Sequence, residues 1–149
     1  MVQPKPDSTV SGRSMTDGPT EITDLEQTEA NRQLVMDFYT EALIEGQVDR
    51  AAEYLGPYYH QHNPQIADGL EGFTAFFTYL LDNEIPFSLS QTHRSIAEGS
   101  FVLLHSEGQI GGAPHAFFDL FRVEAGRIVE HWDVVQPVPS EMAHDNGMF

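Results

Sequence analysis

The sequence predicts an α+β domain, and a change of pattern along the chain is the main reason. Apolar residues recur at helical spacing between residues 34 and 81, and at every second position from residue 87 to 136. Short glycine-containing loops separate the strand-like runs, which indicates an antiparallel meander rather than alternating βαβ units. A strongly curved antiparallel sheet wrapped around the helices is the simplest way to bury both sets.

Length and composition limit the classes of protein. The chain has 149 residues, enough for one domain with a core, and no cysteine, which excludes disulfides and thiolate metal sites. Its apolar runs fall far short of the roughly 20 residues that span a bilayer, and no signal peptide is evident, so we expect a cytoplasmic protein. The net charge of −16 disfavours nucleic acid and membrane surfaces as partners.

The first residues differ in composition from the rest. Residues 1–22 are rich in Pro, Gly, Ser, Thr and Asp and contain almost nothing to bury. They predict a flexible leader, with an arm that packs on a partner subunit as the alternative. The domain itself is predicted over residues 23–149.

Three helices are predicted before the strands. The segment from Thr23 to Glu26 has the form of a capping box, and Gly46 provides the stop of the first helix. A second, shorter helix is predicted over Val48–Leu55, followed by an extended segment over residues 58–62. Asp68-Gly69 precedes the third helix. Its predicted buried side consists of large apolar residues: Leu70, Phe73, Phe76, Phe77, Leu80 and Leu81.

Four strands are predicted after the helices. Two short hairpin loops, at residues 98–100 and 125–127, and a looser one at residues 111–114 separate them. The strands that this spacing predicts are Phe87–Ala97, Phe101–Ile110, Ala116–Glu124 and Ile128–Gln136.

Asp119 is the most informative residue in these strands. Side chains alternate between the faces of a strand, so Asp119 shares one face with Phe117 and Phe121, while Phe118 and Leu120 make the other face apolar as well. A buried carboxylate without partners is costly, so such a residue is usually paired, protonated or employed in chemistry. We therefore interpret Asp119 as the centre of a pocket.

Other ionisable residues are candidates for the same pocket. His105 stands among apolar residues on the preceding strand. The last strand offers either Glu130 and Trp132 or His131 and Asp133 as its inner face; we favour the second pair, with Glu130 near the rim, although alternation alone leaves both open. The segment before a proline turn adds three more candidates: Tyr59, His62 and Asn63.

This set of residues is suited to proton transfer at carbon. Apolar surroundings raise the pKa of a carboxyl toward the working range of a general acid or base, and an imidazole can hold it or relay the proton. Enolisation, dehydration and aldol closure need no cofactor. The alternatives are a structural Asp–His pair, a protein that binds a small molecule without converting it, and an interaction module with a filled core.

A metal site is not predicted. His60-Gln61-His62 is an H-x-H pair that could chelate zinc, iron or manganese, but no supporting glutamate follows and the pair lies at a bend of the chain. Phosphate-binding glycine loops and a Gly-x-Ser-x-Gly elbow are also absent from the sequence.

Several motifs resemble a known family. Tyr59–Pro64 with Ala67–Gly69 resembles the Y-x-Q-H-N-P and A-D-G signature of SnoaL-like proteins, within the nuclear transport factor 2-like (NTF2-like) superfamily. Phe118–Arg122 and Gly126–Val134 resemble that family's last two strands, and Asn146–Phe149 is similar to its N-x-M-F tail. The superfamily contains cyclases, dehydratases, isomerases, epoxide hydrolases and non-catalytic modules, so the resemblance identifies a fold rather than a reaction.

The resemblance covers about residues 25–149 and implies a cone-shaped α+β barrel. Such cones are usually dimeric through the outer face of the sheet, with a pocket between the helices and the concave face. The family's polyketide cyclases use an Asp helped by a His on the preceding strand, and Asp119 and His105 match those positions. Asp133 resembles an inward carboxylate of the epoxide hydrolases, but Leu103-Leu104-His105 stands where they have Arg-x-Asp, which disfavours epoxide opening.

The sequence therefore predicts a cofactor-independent acid/base enzyme of the cyclase, dehydratase or isomerase type. Its substrate would be a small, largely apolar carbonyl or polyketide-like compound, and the protein would be a homodimer. Asp119 would move the proton and His105 would orient it. The alternative is a non-catalytic small-molecule-binding dimer of the same fold. The residues predicted to line the pocket are Tyr59, His62, Asn63, Phe117, Phe121, His131 and Asp133.

Overall fold

The computed structural model describes residues 24–149, in which helices pack on a curved five-stranded sheet. The predicted leader lies outside the described residues. None of the helices formed by residues 24–149 has the length and apolar character needed to cross a membrane. The helices are α1 (Leu25–Phe38), α2 (Ala51–Tyr54) and α3 (Gly69–Asp82), and the strands are β1 (Leu55–Gln61), β2 (Phe87–Glu98), β3 (Phe101–Ile110), β4 (Ala113–Glu124) and β5 (Arg127–Pro137).

Helix α1 begins at Asp24, whose side chain accepts a hydrogen bond from the backbone N–H of Gln27 at 2.9 Å. The cap is thus one residue later than the capping box predicted; Thr23 lies outside the described residues. At its other end α1 continues into a π-helical turn over Tyr39–Ile44, and the chain leaves it at Gly46 with φ +72°. Turns of this type are frequent at functional sites, and Tyr39 at its start is buried.

The predicted helix over residues 48–55 forms as a 3₁₀ turn, Val48–Arg50, and then α2. Helix α3 has the predicted length, but its buried side differs: Leu70 and Leu81 are exposed, while Gly72 is buried. A Cβ atom on Gly72 would lie 2.0 Å from the carbonyl oxygen of Ala67, so the loop before α3 runs directly against the helix. The buried side of α3 therefore includes a glycine that apolar spacing alone did not indicate.

The strand order is β1-β5-β4-β3-β2. Strands β2 to β5 form the predicted antiparallel meander, whereas β1 pairs in parallel with β5, so the sheet is mixed and does not close. The sequence indicated only an extended segment for β1. Its parallel pairing brings the chain before α3 beside the last strand.

Tight turns connect the antiparallel strands. Ile110 pairs with Ala113 across Gly111-Gly112, where φ is +60° and +80°, values that favour glycine. This loop is therefore tighter than predicted, and β4 begins three residues earlier.

The core lies between the helices and the concave face of the sheet. Phe38 is fully buried at its centre, with its ring centroid 5.9 Å from that of Phe73 on α3 and 5.8 Å from that of Phe121 on β4. Tilted and edge-on contacts of this kind stabilise aromatic pairs beyond their burial. The aromatic core leaves a cavity beside it.

Candidate active site

A cavity of about 420 Å³ lies between α3, the π-helical turn and the concave face of the sheet. Its volume falls within the range of small-molecule sites. Phenylalanines form most of its apolar wall: Phe38, Phe73, Phe76, Phe77, Phe87, Phe117 and Phe121. Its polar lining includes a hydrogen-bonded group that we call the polar cluster: Tyr39, Tyr59, Gln61, Asn63, Asp119, His131 and Asp133.

Asp119 is the central carboxylate of the polar cluster and is 7% exposed. Its Oδ2 accepts a hydrogen bond from the Tyr39 hydroxyl at 2.8 Å, and its Oδ1 lies 2.9 Å from His131 Nε2. These two contacts satisfy a carboxylate that would be costly to bury alone.

A second carboxylate lies directly across the sheet, because Asp133 on β5 pairs with Asp119 on β4. Its Oδ2 accepts a hydrogen bond from Asn63 Nδ2 at 2.7 Å. Burial raises the pKa of Asp133 above its ordinary value; the hydrogen bond from Asn63 and the charge of His131 oppose the rise, and the charge of Asp119 adds to it. The two acids therefore differ in environment, since Asp119 has a tyrosine and an imidazole as partners and Asp133 has an amide.

The two tyrosines of the polar cluster, Tyr39 and Tyr59, hold their hydroxyl protons more tightly than usual. Burial raises the pKa of Tyr39 and of Tyr59, and the charge of Asp119 acts in the same direction on both. The ring of Tyr59 stacks on that of His131 with centroids 6.4 Å apart, and the ring of Phe121 stacks on it at 4.7 Å. The imidazole is thus fixed in orientation by aromatic contacts as well as hydrogen bonds.

Strand β1 supplies the remaining polar groups. Its parallel register places Gln61 beside His131, and the Gln61 Oε1 atom lies 2.8 Å from His131 Nδ1. The next backbone N–H, of His62, donates to the carbonyl oxygen of His131 at 2.9 Å. Pairing with β5 therefore sets the positions of Gln61 and Asn63 in the cavity.

His105 is not the partner of Asp119, contrary to the prediction. In the β3–β4 register Leu104 stands opposite Asp119, and His105 stands opposite Phe118 on the outer face. The His105 ring stacks on Phe118 with centroids 4.2 Å apart, and its Nδ1 lies 3.1 Å from Arg94. Burial and the charges of Arg94 and His93 lower the pKa of His105. Successive residues of a strand face opposite sides of the sheet, so His105 lies on the side away from Asp119. The imidazole that contacts Asp119 belongs instead to His131 on β5.

His62 also lies outside the cavity, contrary to the prediction. Its Nε2 is 2.7 Å from Glu130 Oε1, and its ring stacks on Trp132 at 4.6 Å. Glu130 is 1% exposed rather than at the rim, and it also accepts a hydrogen bond from Arg122 Nε at 2.9 Å. Burial works to raise the pKa of Glu130, but the hydrogen bonds from His62 and Arg122 outweigh it and lower that pKa. This outer network holds the end of β1 against β5.

The other predicted pocket residues line the cavity. Of the two alternatives for β5, its His131 and Asp133 face points inward. The sequence did not indicate Tyr39 or Gln61 as site residues. Tyr39 is part of a helical apolar pattern, and Gln61 stands between two histidines that were the more obvious candidates. The predicted residues that the structure brings to the cavity are Tyr59, Asn63, Phe117, Phe121, His131 and Asp133, together with Asp119.

Within residues 24–149, the group of side chains that could hold a metal ion is not the one that the H-x-H motif indicated. Among residues 24–149, ligand atoms of Asp119, His131 and Asp133 lie within 4.8 Å of one another. His60 and His62 instead face separate carboxylates, Asp68 at 3.9 Å and Glu130 at 2.7 Å. An ion bound by Asp119, His131 and Asp133 would replace the hydrogen bond between Asp119 and His131. That the site works without a metal stays a prediction.

Residues 35–131 match the family described as the SnoaL-like domain. The matched segment includes Asp119 and His131 and ends before Asp133. No curated protein matches the chain.

Several solved structures share the fold at low sequence identity. A SnoaL-like protein from Jannaschia sp. CCS1, assigned as a polyketide cyclase, is 18% identical over 82% of this chain and 91% of its own, with a TM-score of 0.58. An LEH-like epoxide hydrolase from M. tuberculosis is 23% identical over 74% and 85%, with a TM-score of 0.53. An NTF2-like protein from Burkholderia xenovorans LB400 is 15% identical over 73% and 91%, with a TM-score of 0.56. These similarities establish the fold alone.

Proposed function

Because this chain belongs to the SnoaL-like family and has an NTF2-like α+β fold, we propose that it is a cofactor-independent acid/base enzyme of the cyclase, dehydratase or isomerase type. One observation carries the proposal: Asp119 is buried at the wall of an apolar cavity and is hydrogen-bonded to Tyr39 and His131. A carboxylate held in this way can accept a proton without the competition of bulk water.

The two acids have different proposed roles. Asp119 takes a proton from a carbon next to the substrate carbonyl, and Asp133, whose pKa is raised, gives a proton to the carbonyl oxygen. The enol that results closes onto a second carbonyl, expels a leaving group or is protonated at another carbon. Return of the two protons restores the starting state. Asn63 holds Asp133, and His131 holds Asp119.

The lining of the cavity supports a neutral, largely apolar substrate. Among the described residues that line it, none is a lysine or an arginine, while phenylalanines form most of the wall. A free carboxylate or phosphate group would face two aspartates in a chain of net charge −16. We therefore propose a carbonyl compound without an anionic group, which is consistent with a polyketide-like molecule.

The decisive experiment follows proton exchange, since it does not require the natural product to be known. Neutral aromatic and aliphatic carbonyl compounds are incubated with the enzyme in D₂O, and deuterium uptake at the adjacent carbon is measured by mass spectrometry. We expect uptake with the native protein and a loss of about 10²–10⁴-fold in Asp119→Asn. Glu98→Gln, an exposed acid outside the cavity, is the matched control and should exchange normally. Full exchange by Asp119→Asn would refute the assignment.

The non-catalytic alternative makes a different prediction. A protein that only binds would retain a ligand in native mass spectrometry and return it unchanged after long incubation, with no exchange in D₂O. An interaction module would have a filled core, and the cavity of about 420 Å³ argues against that option. A cytoplasmic location stays a prediction.

We also propose that the protein is a homodimer through the outer face of the sheet. On that face Phe118 and Val134 form a cross-strand pair and are 44% and 67% exposed. Adjacent exposed apolar side chains on a sheet are typical of an interface.

A further inference from the structure

The amide of Gln61 can be oriented without ambiguity. Its Oε1 atom lies 3.0 Å from the backbone nitrogen of Asn63, and a backbone N–H can only donate a hydrogen bond. The atom that faces it must therefore be the oxygen rather than the NH₂ group. This fixes the amide, whose two ends are otherwise easily interchanged.

The same oxygen determines where His131 carries a proton. It lies 2.8 Å from His131 Nδ1, so Nδ1 must be the donor in that contact. The rings of Tyr59 and Phe121 stack on the imidazole and oppose its rotation. His131 is thus held with a protonated Nδ1, as expected when the partner of one ring nitrogen selects the tautomer.

The consequence appears at the other ring nitrogen. A neutral imidazole with a proton on Nδ1 has only a lone pair on Nε2, and this atom lies 2.9 Å from Asp119 Oδ1. A hydrogen bond there requires one more proton, either on the carboxyl or on the ring. The other oxygen of Asp119 already accepts from Tyr39.

We propose that Gln61 is a positioning residue that keeps His131 Nδ1 protonated, so that Asp119 and His131 share one proton between Oδ1 and Nε2. The pair is then neutral as a whole, which lowers the cost of burying it beside an aromatic cavity. In the form with a charged imidazole, the carboxylate remains available as a base. Without Gln61, the ring would take its proton on Nε2 and leave Asp119 with an uncompensated charge.

The protonation state can be measured by ¹⁵N NMR of the histidine side chains in the full chain. We expect His131 Nδ1 to resonate as a protonated nitrogen at neutral pH, and as a non-protonated nitrogen in Gln61→Met. Gln61→Glu should restore the native signature, because a carboxylate oxygen accepts from Nδ1 and from the Asn63 N–H. Gln33→Met, at an exposed position of α1, is the matched control.

Two outcomes would overturn the proposal: a bare Nδ1 in the native protein, or a protonated Nδ1 that persists in Gln61→Met. Circular dichroism reports whether each variant is folded. Should Gln61→Met unfold, the native spectrum and that of Gln61→Glu decide the matter.

A kinetic measurement rests on the proposed function, whereas the spectra do not. In the exchange assay we expect Gln61→Met to lower kcat with little change in KM, by less than the about 10²–10⁴-fold of Asp119→Asn, and Gln61→Glu to recover most of it. An unchanged kcat with an altered His131 spectrum would refute the positioning role. Absence of exchange in every variant, native included, would refute the proposed function and leave the protonation result intact.

Discussion

Asp119 and Asp133 are residues of the same type that lie in different environments on one pair of strands. They face each other in register, yet Asp119 contacts a phenol and an imidazole, while Asp133 accepts a hydrogen bond from the Asn63 amide. Partners that donate hydrogen bonds favour the charged carboxylate, and burial favours the neutral acid. The two roles that we propose, base for Asp119 and acid for Asp133, rest on these different neighbours rather than on the residue type.

The raised pKa of Asp133 has a consequence for stability. The folded protein binds this proton more tightly than the unfolded chain, so the carboxyl contributes stability in acid, which is lost as the pH rises from about 3.9 through the folded-state pKa. We expect Asp133→Asn to increase the free energy of unfolding at neutral pH, and the gain to vanish in acid. Urea denaturation at several pH values measures it.

Asp145→Asn, at an exposed position near the C-terminus, is the matched control for that measurement and should show no such gain. A neutral-pH stability of Asp133→Asn below that of the native protein would contradict the environment described for Asp133.

At the scale of elements, the position of α3 against the preceding loop determines where one wall of the cavity lies. Gly72 lies in this helix, and a Cβ atom there would come within 2.0 Å of the Ala67 carbonyl oxygen, a backbone atom that cannot move without shifting the loop that also carries Asn63. We expect Gly72→Ala to lower the free energy of unfolding by about 1–3 kcal/mol, although alanine is the better helix former. Urea denaturation tests this.

Thr74→Ala on the exposed side of the same helix should change stability by no more than about 0.5 kcal/mol. Were Gly72→Ala as stable as or more stable than the native protein, helix propensity would dominate and the close contact with Ala67 would be wrong.

The elements themselves were largely predictable, but their relative positions were not. Alternation of apolar residues and turn glycines predicted β2 to β5 within a few residues, because both signals are local. His105 was placed wrongly because β3 is apolar on both faces, so alternation could not choose the register with β4. The parallel pairing of β1 with β5 joins distant segments and has no local signal. For the same reason the link from Gln61 to His131 could not be predicted.

At the scale of the whole molecule, the outer face of the sheet exposes apolar side chains to solvent. Residues Phe118 and Val134 present adjacent apolar side chains there. We expect Val134→Lys to convert the proposed dimer into a monomer, because a charge buried in an apolar interface lacks a partner. Light scattering coupled to size-exclusion chromatography measures the mass.

Leu81→Lys is the matched control, since Leu81 is 79% exposed but lies on α3, away from the sheet. It should leave the dimer intact. A monomeric native protein, or equal dissociation by both variants, would count against the sheet as the interface.

The edge of the sheet formed by β1 also limits how the chain can vary in length. Gln61 and Asn63 reach the cavity, while His62 between them points to the opposite side and contacts Glu130. Insertion of a single residue into this strand would exchange the two sides, sending an imidazole inward and the amides outward. Insertions should thus be tolerated in the hairpin turns but excluded here, where the count of residues matters as much as their chemistry.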